Sequence, residues 1–177
     1  MMLNVRLRTE DISMDSYKRV ETLIAKKYGK KLGTRKAIGD FMLSANHAVN
    51  IKSNDVDKEN YSPNMISIKK MHKWVYEERN ELSFIFVDYK VDGQKLKILR
   101  EDGPIPIEQI SWDCMTIEAQ GYGVIQRCFA LKIIQKQTKR DFYKGFLTAY
   151  AKYRMKEDKK HQAFSKRFIK DPDSIDW

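Results

Sequence analysis

Hydrophobic spacing predicts a helix near the start of the chain. Apolar residues recur at intervals of three and four through segment 17–28, which is the spacing of one helix face. Ser13 or Ser16 can cap the start of this helix, and Gly29 ends it. Glu21 falls close to the apolar stripe. Its carboxylate either pairs with a lysine at the edge of that stripe or points into a site beneath the helix.

Alternating apolar and polar residues predict a hairpin after this helix. The stretches AIGDFML (37–43) and HAVNIKS (47–53) have strand character, and a turn around residues 44–46 joins them. Residues 1–12 are expected to form an arm or an edge strand. The basic loop between helix and hairpin is expected either to contact phosphates or to lie in solvent.

A helix-spaced segment separates this hairpin from a third apolar strand. Ser62 and Pro63 form a helix-start signal, and apolar spacing continues to about Glu78. The strand LSFIFVDYKV (82–91) follows. Two strands joined through a helix favour a parallel pairing with right-handed topology. We therefore predict a mixed α/β core over about residues 13–91.

The second half adds strands and then a long helix. A strand is expected at 95–100, extended chain with edge prolines at 103–117, and another strand at 128–135. The pair Thr138 and Asp141 matches a capping box and predicts the start of a long helix. The fold class expected is a mixed central sheet flanked by helices, with a long C-terminal helix.

Composition and charge narrow the function classes. The chain has 177 residues, of which 42% are hydrophobic and 33% charged, so we expect one folded domain. No apolar run is long enough to cross a membrane, and the N-terminus is too weakly apolar for a signal peptide, so we expect a cytoplasmic protein. Cys114 and Cys128 lack metal-site spacing and are expected to be reduced and chemically quiet. A net charge of +10 favours a nucleic acid as partner.

The predicted hairpin carries the residues that point to chemistry. Asn50 and Lys52 alternate on one strand face, and Asp40 lies on the partner strand. Phosphodiester hydrolysis needs a cation at the phosphate, an activated water and relief of developing charge. Asp40 and Asn50 supply oxygen ligands of the kind that Mg²⁺ prefers, and Glu21 can complete the set. Lys52 can orient the water or stabilise the pentavalent phosphate.

These residues resemble the motif of the PD-(D/E)xK nucleases, typified by type II restriction endonucleases. In that family an Asp is followed, about ten residues on, by an acid-x-Lys sequence on the next strand. Asp40, Asn50 and Lys52 match these positions, and Glu21 matches the helical acid of some members. The resemblance covers about residues 13–91. It implies catalytic residues Glu21, Asp40, Asn50 and Lys52, with Mg²⁺ held by Glu21, Asp40 and Asn50.

The resemblance has two departures. Gly39 replaces the proline of the motif, which the family tolerates. Asn50 replaces the second acid, and it is either a native amide ligand or an inactivating substitution. A second acid-x-Lys pair, Asp88 and Lys90, has no matching upstream acid and is expected to be the polar end of a core strand.

DNA reading is expected outside the catalytic residues, because phosphate contacts carry no sequence information. Two polar segments, 53–64 and 118–127, offer side chains that suit base edges or stacking. The candidates are Ser53, Asn54, Asn60, Tyr61, Gln120, Tyr122, Gln126 and Arg127. For the second segment, a glycine-kinked hairpin joining two strands is the structural alternative.

The expected function is a magnesium-dependent endonuclease that cuts double-stranded DNA at a specific sequence, a type II restriction enzyme. Residues 92–177 are expected to supply DNA-recognition and dimerisation elements, and cutting both strands of a palindrome favours a homodimer. The alternatives are a non-catalytic DNA-binding protein, a structure-specific repair or junction-resolving nuclease, and an RNA-binding protein.

Overall fold

The computed structural model describes residues 4–6, 16–34, 37–58, 64–93, 95–118, 124–127 and 137–168. Its strands are β1 (Asn4–Arg6), β2 (Phe41–Ser44), β3 (His47–Asp55), β4 (Asn64–Ser67), β5 (Glu81–Asp92), β6 (Lys95–Pro106), β7 (Met115–Glu118) and β8 (Val124–Arg127). Its helices are α1 (Ser16–Lys27), α2 (Ile68–Met71, continued by a π-helical segment His72–Glu77) and α3 (Lys139–Phe168). The fold is α/β.

A mixed sheet of five strands holds the candidate site. Its order is β1-β6-β5-β3-β2, and β3 pairs parallel to β5 while the other pairings are antiparallel. The predicted parallel pairing across the intervening helix is confirmed. Residues 4–6 form the outer edge strand beside β6, as expected for the N-terminal arm.

Both faces of this sheet are covered, because β5 alternates apolar residues toward two separate cores. Ile85 and Val87 pack with Val20 and Ile24 of α1 on one face. Phe84 and Phe86 belong to the second core on the other face, where α2, α3 and a three-stranded sheet of order β4-β8-β7 lie.

Along the described residues, no helix combines the length and apolar character needed to cross a bilayer.

The predicted helix over 63–78 is wrong in its first turn. Asn64–Ser67 form β4, which pairs antiparallel with β8 and buries Met65 and Ile66. The helix begins only at Ile68, where the Ser67 hydroxyl accepts a hydrogen bond from the backbone N–H of Lys70. Pairing with a distant strand overrides the local helix signal. Ser62 and Pro63 lie outside the described residues.

Other boundaries also differ from the sequence predictions. β3 extends to Asp55, because the long strand β5 offers it ladder partners as far as Tyr89. The stretch 103–117 is not continuously extended, since short helical turns at Ile107–Gln109 and Trp112–Cys114 interrupt it. The strand expected at 128–135 lies outside the described residues.

The C-terminal helix begins where the sequence indicates. The Asp141 N–H donates to the Thr138 hydroxyl at 3.2 Å, and that hydroxyl donates to the Asp141 carboxylate at 2.7 Å. The predicted apolar stripe packs onto the larger core: Phe142, Phe146, Ala149, Tyr150 and Tyr153. Cys114 is a buried free cysteine.

Gly39 lets the chain pass very close to β3 just before β2 begins. A Cβ atom built at Gly39 would lie 2.7 Å from the Val49 carbonyl oxygen and 2.9 Å from its nitrogen. Both are backbone atoms in the sheet and cannot turn away. A glycine at this position is therefore a steric requirement of the hairpin.

The substitution Gly39→Ala is expected to lower the free energy of unfolding by about 2–3 kcal/mol, because the methyl group forces β2 and β3 apart. Urea denaturation measures this. Gly33→Ala is the matched control, because its Cβ would meet its nearest neighbours at an ordinary 3.4 Å. Equal stability of the two variants would contradict the close approach.

Candidate functional site

Asp40 joins the hairpin to the site through its carboxylate. The last ladder pair of β2 and β3 is Phe41 with Val49, and the Asp40 N–H donates to the Val49 carbonyl at 2.8 Å. Two residues further along β3, the Ile51 N–H donates to the Asp40 Oδ2 at 2.6 Å. The carboxylate thus takes the place of the next backbone acceptor in the ladder. Asp40 lies immediately before β2 and not within it, which corrects the predicted strand.

Asn50 is buried beside Asp40, with 8% of its surface exposed. Its amide Nδ2 donates to the Ile38 carbonyl oxygen at 3.2 Å. This bond orients the amide, because only the NH₂ side can face a carbonyl. A carboxylate at position 50 would instead place negative charge against that oxygen. The surroundings of Asn50 are therefore suited to an amide.

Asn50 and Lys52 share one face of β3, as the alternation predicts. Asn50 lies in register with Phe84 and Lys52 with Phe86 on the neighbouring strand. Lys52 is half-buried, and the loss of hydration lowers the pKa of its ammonium, an effect that Asp40 and Glu21 partly oppose. Lys52 and the two carboxylates therefore lie close enough to influence one another.

Glu21 lies on α1, near enough to Asp40 and Lys52 for their charges to shift the pKa of its carboxyl. Burial and, to a smaller extent, the nearby charge of Asp40 raise the pKa of its carboxyl to about 7, while Lys52 and Lys18 oppose the shift. Burial likewise raises the pKa of Asp40, against the Ile51 hydrogen bond and Lys52. Lost hydration thus outweighs the attraction between unlike charges for all three groups, and it shifts each pKa in the direction of the neutral form.

Asp40 and Asn50 also line a common cavity of about 250 Å³. Its polar lining includes Thr34, Ser67 and Lys70. Glu21 and Lys52 are not among its lining residues. The two carboxylates and the Asn50 amide are the oxygen donors that a hard cation would use here.

Within the described part of the chain, no group of three or more His, Cys, Asp or Glu residues is arranged to hold a metal ion. A cation at this site would therefore have two carboxylates and one amide as protein ligands. Mg²⁺ usually keeps several waters and binds through one or two carboxylates together with substrate phosphates. The residues fit that mode of binding and do not form a closed protein cage.

The predicted DNA-reading residues are only partly described. Ser53 and Asn54 lie within β3 and not in a loop, so they alternate to opposite faces. The Asn54 amide donates to the Asp88 carboxylate at 2.9 Å, which places Asp88 in a polar pair at the end of β5. Gln126 and Arg127 lie in β8, which forms the expected hairpin with β7. The remaining four lie outside the described residues: Asn60, Tyr61, Gln120 and Tyr122.

Lys70 is a cavity residue that the sequence prediction missed. The helical spacing of the sequence predicts that Lys69, Lys70 and Lys73 lie together on one basic face of the helix. The signal that corrects this is the spacing of Ser67 and Lys70, because a serine cap at Ser67 resets the start of the helix. The sequence contains a second helix-start signal at Ser62 and Pro63, which is why the signal at Ser67 was not chosen.

His47 makes contacts that look like a hydrolytic triad. Its Nε2 lies 2.8 Å from the Ser83 hydroxyl, and its Nδ1 lies 3.2 Å from the Glu81 carboxylate. Ser83 is only 2% exposed within β5, so no substrate carbonyl can reach it. The contacts bridge neighbouring strands and are structural.

Glu21→Gln is expected to stabilise the protein at about pH 8 by roughly 1 kcal/mol, a value discounted for partial exposure. The folded-state pKa of about 7 lies above the ordinary 4.5, so the folded protein binds the proton more tightly. Ionisation of Glu21 therefore costs stability as pH rises from about 4.5 through about 7. Thermal unfolding across this pH range measures the effect. The difference should vanish near pH 4.5, and a constant difference would contradict the assignment.

The sequence matches no protein-family model, and no curated protein matches it.

Proposed function

We propose that this protein is a magnesium-dependent endonuclease that cleaves phosphodiester bonds of double-stranded DNA at a specific sequence, as a type II restriction enzyme does. The observation that carries the proposal is the meeting of Glu21, Asp40 and Lys52 from three different segments at one edge of the sheet, where each shifts the pKa of another. Asn50 adds an oriented amide beside Asp40.

Each residue has a distinct role in the proposed reaction. Glu21, Asp40 and Asn50 would hold Mg²⁺, which polarises the scissile phosphate when bound. Lys52 is the cation closest to the two carboxylates, and it stabilises the charge that develops on the phosphate as water attacks and the P–O bond breaks. Its lowered pKa eases any transfer of its proton.

The choice of duplex DNA rests on charge and on assembly. A net charge of +10 suits a polyanion. The described residues hold one such site, so we expect a second copy to cut the other strand, and a homodimer supplies it with matching two-fold symmetry. The hairpin of β7 and β8 pairs with β4, so the proposed recognition part is continuous with the catalytic part.

Asp40→Ala and Lys52→Ala are each expected to reduce Mg²⁺-dependent cleavage of long duplex DNA at least about 100-fold, because each removes a ligand or charge of the reacting centre. Gel analysis of the products, followed by sequencing of the ends, measures rate and specificity together.

Lys90→Ala is the matched control for Lys52→Ala, because Lys90 is the lysine of the other acid-x-Lys pair and lies on β5. It should cleave at the wild-type rate within about threefold. Full activity of Asp40→Ala and Lys52→Ala would contradict the site, and salt-sensitive binding without cleavage would favour a non-catalytic protein.

Asn50→Asp is expected to lower the cleavage rate about tenfold or more, since the new carboxylate would face the Ile38 carbonyl and add charge beside Asp40. Single-turnover cleavage over a range of Mg²⁺ concentrations measures this. A large gain in rate would mean that Asn50 disables the site.

A further inference from the structure

Lys70 lies on α2 and lines the cavity at the candidate site. Its Nζ lies 3.4 Å from the Ala37 carbonyl oxygen, and both residues line the cavity that Asp40 and Asn50 share. The residue therefore belongs to the wall of the cavity, while its exposed side chain stays accessible from solvent.

The base of the Lys70 side chain is well fixed. Its backbone N–H donates to the Ser67 hydroxyl at 3.3 Å, which caps α2. The flanking residues Ile68 and Met71 are buried in the larger core. Only the flexible end of the lysine has to be ordered when a ligand binds, which lowers the entropic cost of binding.

The charge of Lys70 is not neutralised within the cavity. Among the described residues, no carboxylate lies within ion-pair distance of its ammonium. Lys52, by contrast, lies beside both Asp40 and Glu21 and shifts the pKa of each. The cavity is thus lined by the carboxyl of Asp40, the amide of Asn50 and Lys70, whose ammonium has no carboxylate partner among the described residues. That arrangement suits an anionic ligand that carries a cation on one side.

The neighbouring lysines of α2 have a different location. Lys69 and Lys73 line a separate groove between α2 and α3, and Lys73 lies 3.9 Å from the Glu78 carboxylate. Neither of them lines the cavity that Lys70 shares with Asp40 and Asn50. Lys70 is thus the member of the basic cluster that faces the candidate site.

We propose that Lys70 is a substrate-binding residue that contacts a backbone phosphate of the bound nucleic acid strand next to the metal ligands. This inference rests on the proposed nuclease function and gives Lys52 and Lys70 different roles. Lys52 acts on the charge of the reacting phosphate. Lys70 holds the strand in the substrate complex and in the transition state alike.

The test compares Lys70→Ala and Lys70→Arg with Lys73→Ala, a matched control one helical turn away. Binding of a random-sequence 30-base-pair duplex without Mg²⁺ is measured by fluorescence anisotropy at about 50 to 200 mM salt. Lys70→Ala should weaken binding about five- to tenfold and reduce the salt slope by about one unit, the value for one lost phosphate contact. Lys70→Arg should keep the slope, and Lys73→Ala should bind within about twofold of wild type.

Cleavage kinetics separate this inference from the proposed function. Lys70→Ala should raise KM about tenfold with kcat within about threefold, because the contact exists before the transition state. Equal binding, salt slope and KM for Lys70→Ala and Lys73→Ala in a chain that cuts DNA would overturn the role of Lys70 alone. A wild-type chain that neither binds nor cuts DNA would overturn the proposed function, and this inference with it.

Discussion

The hydrogen bond from the Ile51 N–H to the Asp40 carboxylate, 2.6 Å long, connects the sheet to its candidate site. β2 stops pairing at Val49, and this carboxylate serves the next donor of β3. The contact that ends the hairpin therefore also fixes a candidate metal ligand. Gly39 makes it possible, because only a residue without Cβ lets the chain lie against Val49. Backbone geometry thus positions the site before any ligand is present.

Lost hydration is the dominant electrostatic effect at the site. The pKa values of Glu21 and Asp40 are raised and that of Lys52 is lowered, although the three groups attract one another in part. In a cluster that served only stability, attraction between unlike charges would outweigh lost hydration. The pKa values of the two acids would then be lowered and that of the lysine raised. A cation beside the carboxylates and a phosphate beside Lys52 would each stabilise the charged forms of these groups. Such a cost in stability is common at functional sites.

Local alternation was enough to predict one face of β3 and the pair Asn50 and Lys52, since strand periodicity depends on the chain alone. The capping box of α3 was predictable for the same reason. The start of the crossover helix was not, because β4 exists only through its pairing with β8, some 60 residues further along the chain. Because the helix start was predicted wrongly, Lys70 was not predicted to lie at the candidate site. The amide orientation of Asn50 likewise depends on Ile38, across the hairpin.

The early end of β2 has a consequence for association between chains. Among the described strands, none pairs with β3 beyond Val49 on that side, so its backbone there resembles an open sheet edge. Open edges invite strands from other molecules, and charged side chains are a common defence. Asp40 occupies one edge donor, and Lys52 and Asp55 add charge along the same strand. Variants that remove these charges would therefore expose an edge prone to aggregation, beyond any change in catalysis.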